Sequence, residues 1–503
     1  MSMKRNRLLI RVLAIVLAVL LVGGAVVSAT ISAFAEADAA QAERDRYEID
    51  IVYMEEQQAL HVTQRLVYHN RQAFEMDRVL FSAAGNMYRR EGALAYASES
   101  LTDVFPEGYV PAGIELMRVE FDGQAADWGY VDEAEMVLRV GCALAPGKSG
   151  EFLFEYYLLL SRNCSMLGEY DTDVRLSGFY FAPGLVNGDD EEFVVNTPLS
   201  FTRWLLTGAA DYSVTLAIPE NYLPAATGSE ALAGTEDRVS TWRFEAENVR
   251  EFAVSFGKRW RESTAETESG VTVRLLSNRR NDAGALATAV ETIELYEEWL
   301  GAFPMAQIDL VQSDYPIDAL NFPGAVWLPE ALFDSDGEMA AALRFCLAQQ
   351  YVGMRAYAEP VADAWLSDVP CSYLALLAVE ELEGYDAFLA ALNDAVLESL
   401  HITIPGGLNI TTSADLFTAS EYALVVRGRG TVVMHELRLS MGREEWIAGI
   451  RQFYEMGLDN RLLGEMDFVQ ALDKATGGDW ETFLTDWLFN VGDYIDQQIE
   501  FYE

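Results

Sequence analysis

The chain carries four histidines, at positions 61, 69, 401 and 435, and four cysteines, at 142, 164, 346 and 371. Zinc hydrolysis on a helix needs two His at i and i+4 with a Glu after the first, so that both imidazoles meet the ion and the carboxylate meets its water. The single His-Glu pair is His435-Glu436, and Leu439 stands four residues after the His. That pair reads as a partly buried structural histidine. His61 and His69 fall on one strand pattern, about 26 Å apart at the rise of extended chain, and cannot share a metal. His401 stands beside an Ile-Thr-Ile-Pro-Gly-Gly loop with no second ligand in view. Cys346 and Cys371 lie in consecutive helical patterns, but a nucleophilic thiol needs a base and neither has a His nearby. Both read as buried apolar thiols. Cys142 and Cys164 flank a strand and could form a disulfide in an exported domain. The run Gly188-Asp-Asp-Glu-Glu192 lacks the ligand spacing of a calcium loop and reads as a solvated acidic loop.

Two kinds of element must position any site. From Tyr47 to about Trp260 the pattern is β: Leu60, Val62, Gln64, Leu66 and Tyr68 alternate with His61, Thr63, Arg65, Val67 and His69, the period of a half-buried strand. After about residue 280 the period becomes helical, over 285–300, 338–354, 369–382, 385–397, 430–441, 444–454 and 468–476. A β-rich half followed by a helical half predicts two domains of an α+β protein. The 503 residues are 51% hydrophobic and carry a net charge of −44, which excludes a disordered chain and argues against nucleic acid, whose phosphates need Lys and Arg.

The N-terminus reads as a targeting element. Lys4, Arg5, Arg7 and Arg11 precede an uncharged run from Val12 to Ala35, long enough to span a bilayer. Positive residues stay cytoplasmic, so the bulk of the chain is expected outside the cytoplasm, membrane-anchored by the N-terminus. Ala33-Phe34-Ala35 also suits cleavage, in which case the protein would be secreted.

Several segments in a common order resemble the zinc aminopeptidases of the aminopeptidase N type (peptidase family M-one, the gluzincin branch). They include Tyr68-His-Asn70, Val79-Leu-Phe81, Asn86-Met-Tyr88, Asp211-Tyr-Ser-Val214 and Asn248-Val-Arg-Glu-Phe-Ala253 in the β half. Tyr296-Glu-Glu-Trp-Leu-Gly-Ala-Phe-Pro304, Gly428-Arg-Gly430, His435-Glu-Leu-Arg438 and Asp467-Phe468 follow in the helical half. The resemblance covers about residues 47 to 490. It implies a saddle-like β-sheet domain over 47–262 and a thermolysin-like, mostly helical domain over 270–503, after a signal segment over 1–35 and a polar linker over 36–46 read from their own composition.

The chemistry implied by that resemblance is missing from the residues that should carry it. Aligning Gln349-Gln-Tyr-Val-Gly353 with the stretch after H-E-x-x-H puts Arg344 and Ala348 at the two His positions and Phe345 at the general base. Trp365-Leu-Ser-Asp368 matches W-L-x-E, so Asp368 replaces the third ligand. Asp318-Ala-Leu-Asn-Phe-Pro-Gly324 resembles the strand G-[GA]-M-E-[NY], with neutral Asn321 where a Glu would hold the substrate amine. Ala319, Leu320, Asn321 and Phe322 remain candidates for pairing with an extended peptide by strand addition. Arg427 falls where the family has its transition-state Tyr. The expectation is therefore a pseudopeptidase: zinc, the cofactor the family implies, is lost, and the cleft binds a peptide or protein chain or scaffolds an assembly. Arg344, Arg427 and Asp368 are expected to converge, a guanidinium filling the metal's place. The rival reading is an active metallo-aminopeptidase using non-standard ligands.

Overall fold

The computed structural model describes residues 44–91, 101–187, 192–279, 283–316, 318–400 and 407–489. The expected signal or anchor segment, most of the linker, His401 and nearly all of the acidic run 188–192 lie outside the described residues. Among the described residues no helix is long and apolar enough to cross a membrane.

Residues 45 and 46, expected in the linker, already belong to the first strand, Asp45–Met54. Its Tyr47, Ile49, Ile51 and Tyr53 are buried in alternation, which draws it into an eight-stranded sheet. Across that sheet the order is Ser229–Glu236, Val239–Val249, Ala210–Pro219, Asp45–Met54, Ala59–His69, Ser149–Leu159, Ile114–Phe121 and Gln124–Ala125. On Ala59–His69 the inward row is Leu60, Val62, Gln64, Leu66 and Tyr68. A polar residue in such a row must find partners. Gln64 finds both on one residue, Nε2 donating to Phe181 O at 2.7 Å and Oε1 accepting from Phe181 N at 2.9 Å. Two four-stranded sheets and the two-stranded pair Leu185–Asn187 with Glu192–Val194 complete this sheet-rich part among the described residues.

A five-stranded sheet follows, opened by Arg261–Glu266 against Thr272–Ser277. Thr272–Ser277, Gln307–Ser313 and Ala325–Pro329 run parallel, and Leu320–Phe322 forms the edge, antiparallel to Ala325–Pro329. Helix α1 (Ala283–Leu300) is the crossover between the first two parallel strands. At the seam between the sheets, Arg274 Nη1 donates to both oxygens of Asp309, at 3.0 and 2.9 Å, and meets Glu230 Oε2 at 2.9 Å. Burial pushes the Asp309 carboxyl up to about 7 against the pull of Arg274, with Glu230 competing for the same cation.

Longer helices that follow are α2 (Asp336–Tyr351), α3 (Trp365–Glu383), α4 (Tyr385–Leu400), α5 (Arg429–Met441), α6 (Arg443–Met456) and α7 (Glu465–Thr476). Ser335 caps α2, its hydroxyl accepting from Glu338 N at 3.3 Å. The helical spacing continues to Met354, but the helix stops at Tyr351 because Val352 is extended and Gly353 takes φ +115°. Helix α3 starts earlier than its sequence suggests. Ser367 lies inside the first turn, its Oγ donating to Ala364 O at 3.1 Å, so it is no cap. Pro370 consequently sits inside the helix, beyond the first turn, and removes one i→i−4 bond. In α5, a Cβ on Gly430 would come within 2.4 Å of Val369 Cγ2, so glycine is what lets α5 lie directly against α3. That approach carries the π-helical turn Ala423–Gly428, and Arg427 with it, over the start of α3.

Candidate functional site

Asp368, in the first turns of α3, is the centre of the site and is 1% exposed. A carboxylate buried to that degree needs donors on both oxygens. Gln349 Nε2 donates to Oδ1 at 2.8 Å. Oδ2 accepts from Tyr422 Oη at 3.1 Å and from Arg427 Nε at 3.2 Å. The Arg427 guanidinium goes further, Nη1 donating to Asp318 Oδ2 at 2.8 Å and Nη2 to Phe201 O at 3.4 Å. Its centre lies 4.9 Å from the Phe345 ring and 5.8 Å from the Tyr422 ring. Burial works against the arginine's charge, but Asp368 and Asp318 outweigh it and hold its pKa above the ordinary value. Burial, reinforced by Asp368, likewise raises Tyr422 far out of reach of deprotonation.

An amide network ties this centre to the edge strand. Asn321 Nδ2 donates to Cys346 O at 2.7 Å and to Gln349 Oε1 at 3.0 Å. Gln350 Nε2 donates to Asn321 Oδ1 at 2.7 Å and Phe322 O at 3.0 Å, while its Oε1 accepts from Gly324 N at 3.0 Å. Gln349 therefore acts as a relay, its carbonyl turned to the strand and its N–H₂ to Asp368. Ala319, Leu320, Asn321 and Phe322 line a cleft with Phe345 and Arg427, but its open space is only about 50 Å³.

The geometry corrects the helical frame read from the sequence. Successive residues on a helix are rotated by about 100°, so a slip of one position turns the chemistry to another face. On α2 it is Gln349 that meets Asp368, with Phe345 four residues before it against Arg427, rather than Arg344 and Ala348. Arg344 instead places Nη2 2.6 Å from Glu383 Oε1, so the expected three-way convergence with Arg427 and Asp368 does not form. Ala348 is buried core. Phe345 faces the Arg427 guanidinium, and Cys346 follows it. Burial drives the Cys346 thiol well above its ordinary pKa, so it offers neither base nor thiolate. Three contributors escaped the sequence reading: Gln349 as a donor, Tyr422 and Asp318. A tyrosine five residues before Arg427 was the available signal for Tyr422.

The other chemically capable residues are structural. His435 Nδ1 shares a hydrogen bond with Tyr373 Oη at 2.8 Å, and burial, reinforced by Arg438, pushes its pKa down to about 4, so it is neutral at pH 7. His61 lies 3.3 Å from Glu155. Cys371 Sγ donates to Val352 O at 3.1 Å, and all four cysteines are free, so Cys142 and Cys164 are not joined.

Zinc does not fit these residues. Both Asp368 oxygens already accept from N–H or O–H donors, Gln349 presents its N–H₂, Phe345 has no donor atom, and the Arg427 guanidinium lies directly against Asp368 and Phe345. Among the described residues no group of three His, Cys, Asp or Glu could hold a metal ion.

No protein-family model matches the chain. Aminopeptidase N of Lactococcus lactis subsp. lactis is 25% identical over 285 residues, which make up 51% of this chain and 33% of that relative, so the chain spans about a third of the relative's length. The M1 zinc metallopeptidase from Deinococcus radiodurans superposes with a TM-score of 0.64 at 15% identity, over 90% of this chain and 95% of that one. A point mutant of that metallopeptidase bound to a Tyr-ser-ala substrate gives a TM-score of 0.64 at 16% identity, over 89% and 94%. The chain is a relative of the aminopeptidase N-type M1 metallopeptidases and has their fold, sheet-rich in the N-terminal part and helical in the C-terminal part.

Proposed function

We propose that this M1 relative is a pseudopeptidase: a chain that keeps the aminopeptidase scaffold, has exchanged the metal for an internal ion pair, and acts by holding a peptide or protein chain or by scaffolding an assembly. The observation that carries the reading is Asp368, whose two oxygens are taken by Gln349, Tyr422 and Arg427. Without a positioned general base the family's reaction loses on the order of 10²–10⁴ in rate. Without zinc it also loses the activated water that attacks the peptide carbonyl. The basic N-terminal residues and uncharged run to Ala35 support export, with the bulk of the chain extracytoplasmic and the N-terminus as a membrane tether or a cleaved signal. The acidity of the chain disfavours nucleic acid as a partner.

Elemental analysis of the purified protein together with an aminoacyl reporter assay tests this. The expected result is substoichiometric zinc and no turnover, with or without added zinc. Stoichiometric zinc accompanied by reporter cleavage would establish the rival, an active metallo-aminopeptidase. Peptide binding separates from pure scaffolding by whether short peptides raise the melting temperature.

A further inference from the structure

Arg427 is held in a way that exceeds what a structural ion pair needs. Its guanidinium bridges two carboxylates on different elements, Asp368 on α3 and Asp318 before the edge strand, donates a third bond to Phe201 O, and lies against the Phe345 and Tyr422 rings. Two acidic acceptors, a carbonyl and ring faces are the parts that recognise a guanidinium, whose rigid fork and delocalised charge suit split acceptors and stacking better than an ammonium does. The site is also not sealed. The side chains of Arg427 and Asp318 are 24% and 45% exposed, whereas that of Asp368 is 2% exposed, so the cage opens towards solvent at its Asp318 end. Arg427 itself is carried on a π-helical turn, a local departure from α geometry that recurs at functional positions.

We propose that this cage is an arginine-recognition site occupied in cis by Arg427, and that its external ligand is the arginine side chain of a peptide or protein that displaces it. The proposal rests on reading the site as non-metallic and names the chemistry of its partner. A net charge of −44 draws cationic partners towards the chain over long range. Displacement takes the Arg427 side chain out on the Asp318 side, where the cage is most exposed. Because the competitor is tethered, the native chain binds such a ligand with an affinity reduced by the small fraction of time the cage stands open. Removing Arg427 lifts that competition.

Chemical rescue tests the idea. Arg427→Ala leaves Asp368 and Asp318 facing an empty cage, and millimolar argininamide is expected to raise the variant's melting temperature, while citrullinamide, the same shape without the charge, does not. Affinity for argininamide is expected to rise at least about tenfold over the native chain, the order of one charge-assisted hydrogen bond freed from competition. Adding Asp318→Asn to Arg427→Ala should abolish the preference. The native chain, which needs no variant to fold, supplies a second readout: saturation-transfer NMR with an arginine-bearing tripeptide and its citrulline twin, the arginine peptide alone giving signals. All measurements run in EDTA, so they stand apart from the zinc assay: zinc with reporter cleavage would overturn the non-metallic reading, whereas a zinc-free chain that fails to prefer arginine would overturn this proposal alone. Equal responses to argininamide and citrullinamide, or no response in either the variant or the native chain, overturn it.

Discussion

Rebuilding the metal site is the sharpest test of the frame in which α2 presents its side chains. The set Phe345→His, Cys346→Glu, Gln349→His and Asp368→Glu puts the required groups on the face that meets Asp368. Alone it should still take up no zinc, because Arg427 remains. Zinc sits about 2 Å from a carboxylate oxygen, and Arg427 Nε lies 3.2 Å from Asp368 Oδ2, so ion and guanidinium would stand roughly 4 Å apart. At an effective dielectric of 20 two unit charges at that distance repel by about 4 kcal/mol, and a divalent ion doubles it to about 8, or five to six decades in affinity. Adding Arg427→Gln removes the repulsion, and the fivefold variant is expected to bind one zinc. The parallel set Arg344→His, Phe345→Glu, Ala348→His and Asp368→Glu should fail even with Arg427→Gln, since Arg344 is directed to Glu383. Competition with a chromophoric chelator, elemental analysis and circular dichroism on each folded variant give the answer. Stoichiometric zinc with Arg427 in place, or in the 344/348 register, would refute the reasoning.

Replacing Arg427 by Met, which still covers Phe345, leaves Asp368 buried without its cation and should cost about 3–5 kcal/mol by urea unfolding at pH 8; a loss below about 1 kcal/mol would contradict it. Tyr422→Phe removes one hydrogen bond to a charged acceptor and should cost about 1.5–3 kcal/mol by the same measurement. Burial holds Glu251 and Asp309 at about 7, above their unfolded values, so the stability they confer is complete below about pH 4 and is lost as pH rises through 7. The melting temperature is therefore expected to fall between pH 5.5 and 8, by roughly 1–2 kcal/mol of stability per group, and Glu251→Gln should flatten the curve; a rise with pH would reverse the assignment.

Much of the architecture is legible in the residues because it follows from periodicity. The row Leu60, Val62, Gln64, Leu66 and Tyr68 has the alternation that only a half-buried strand can use, and it is buried as such. The helices are readable for the same reason, and their ends are not, because a cap is a local bond: Ser367 has the composition of an N-cap but bonds Ala364 inside a helix that starts at Trp365. Of the residues at the centre of the site, the sequence names Asp368, which the Trp365-Leu366 context marks, and Arg427, which meets it. Arg344 and Phe345 are adjacent, and nothing in their types tells which one faces α3. Gln349 carries no pattern either, since an amide is equally at home on a surface. Tyr422 is hidden by the π-helical turn, whose extra residue breaks the i, i+4 spacing that would relate it to Arg427.

The same bonds tie together elements that are distant in sequence, and they do so as a closed ring. From Asn321 on the edge strand the path runs to Gln349 on α2, to Asp368 on α3, to Arg427 on the π-helical turn, and back to Asp318 three residues before its start. Every link is a donor–acceptor pair between two elements, Asp368 accepting from both Gln349 and Arg427, so none of the buried groups in it is left unsatisfied, the condition under which a buried polar network stabilises rather than weakens a core. An apolar plug at Phe345 and Gln349 would have spared the desolvation of Asp368 but would have left the edge strand untied from α2 and α3. The ring also sets the cost of opening the cleft: its link to Asp318 is the most exposed, so the strand side is where the site yields first, and the α2–α3 side, closed by Gln349 and Tyr422, is where it stays rigid.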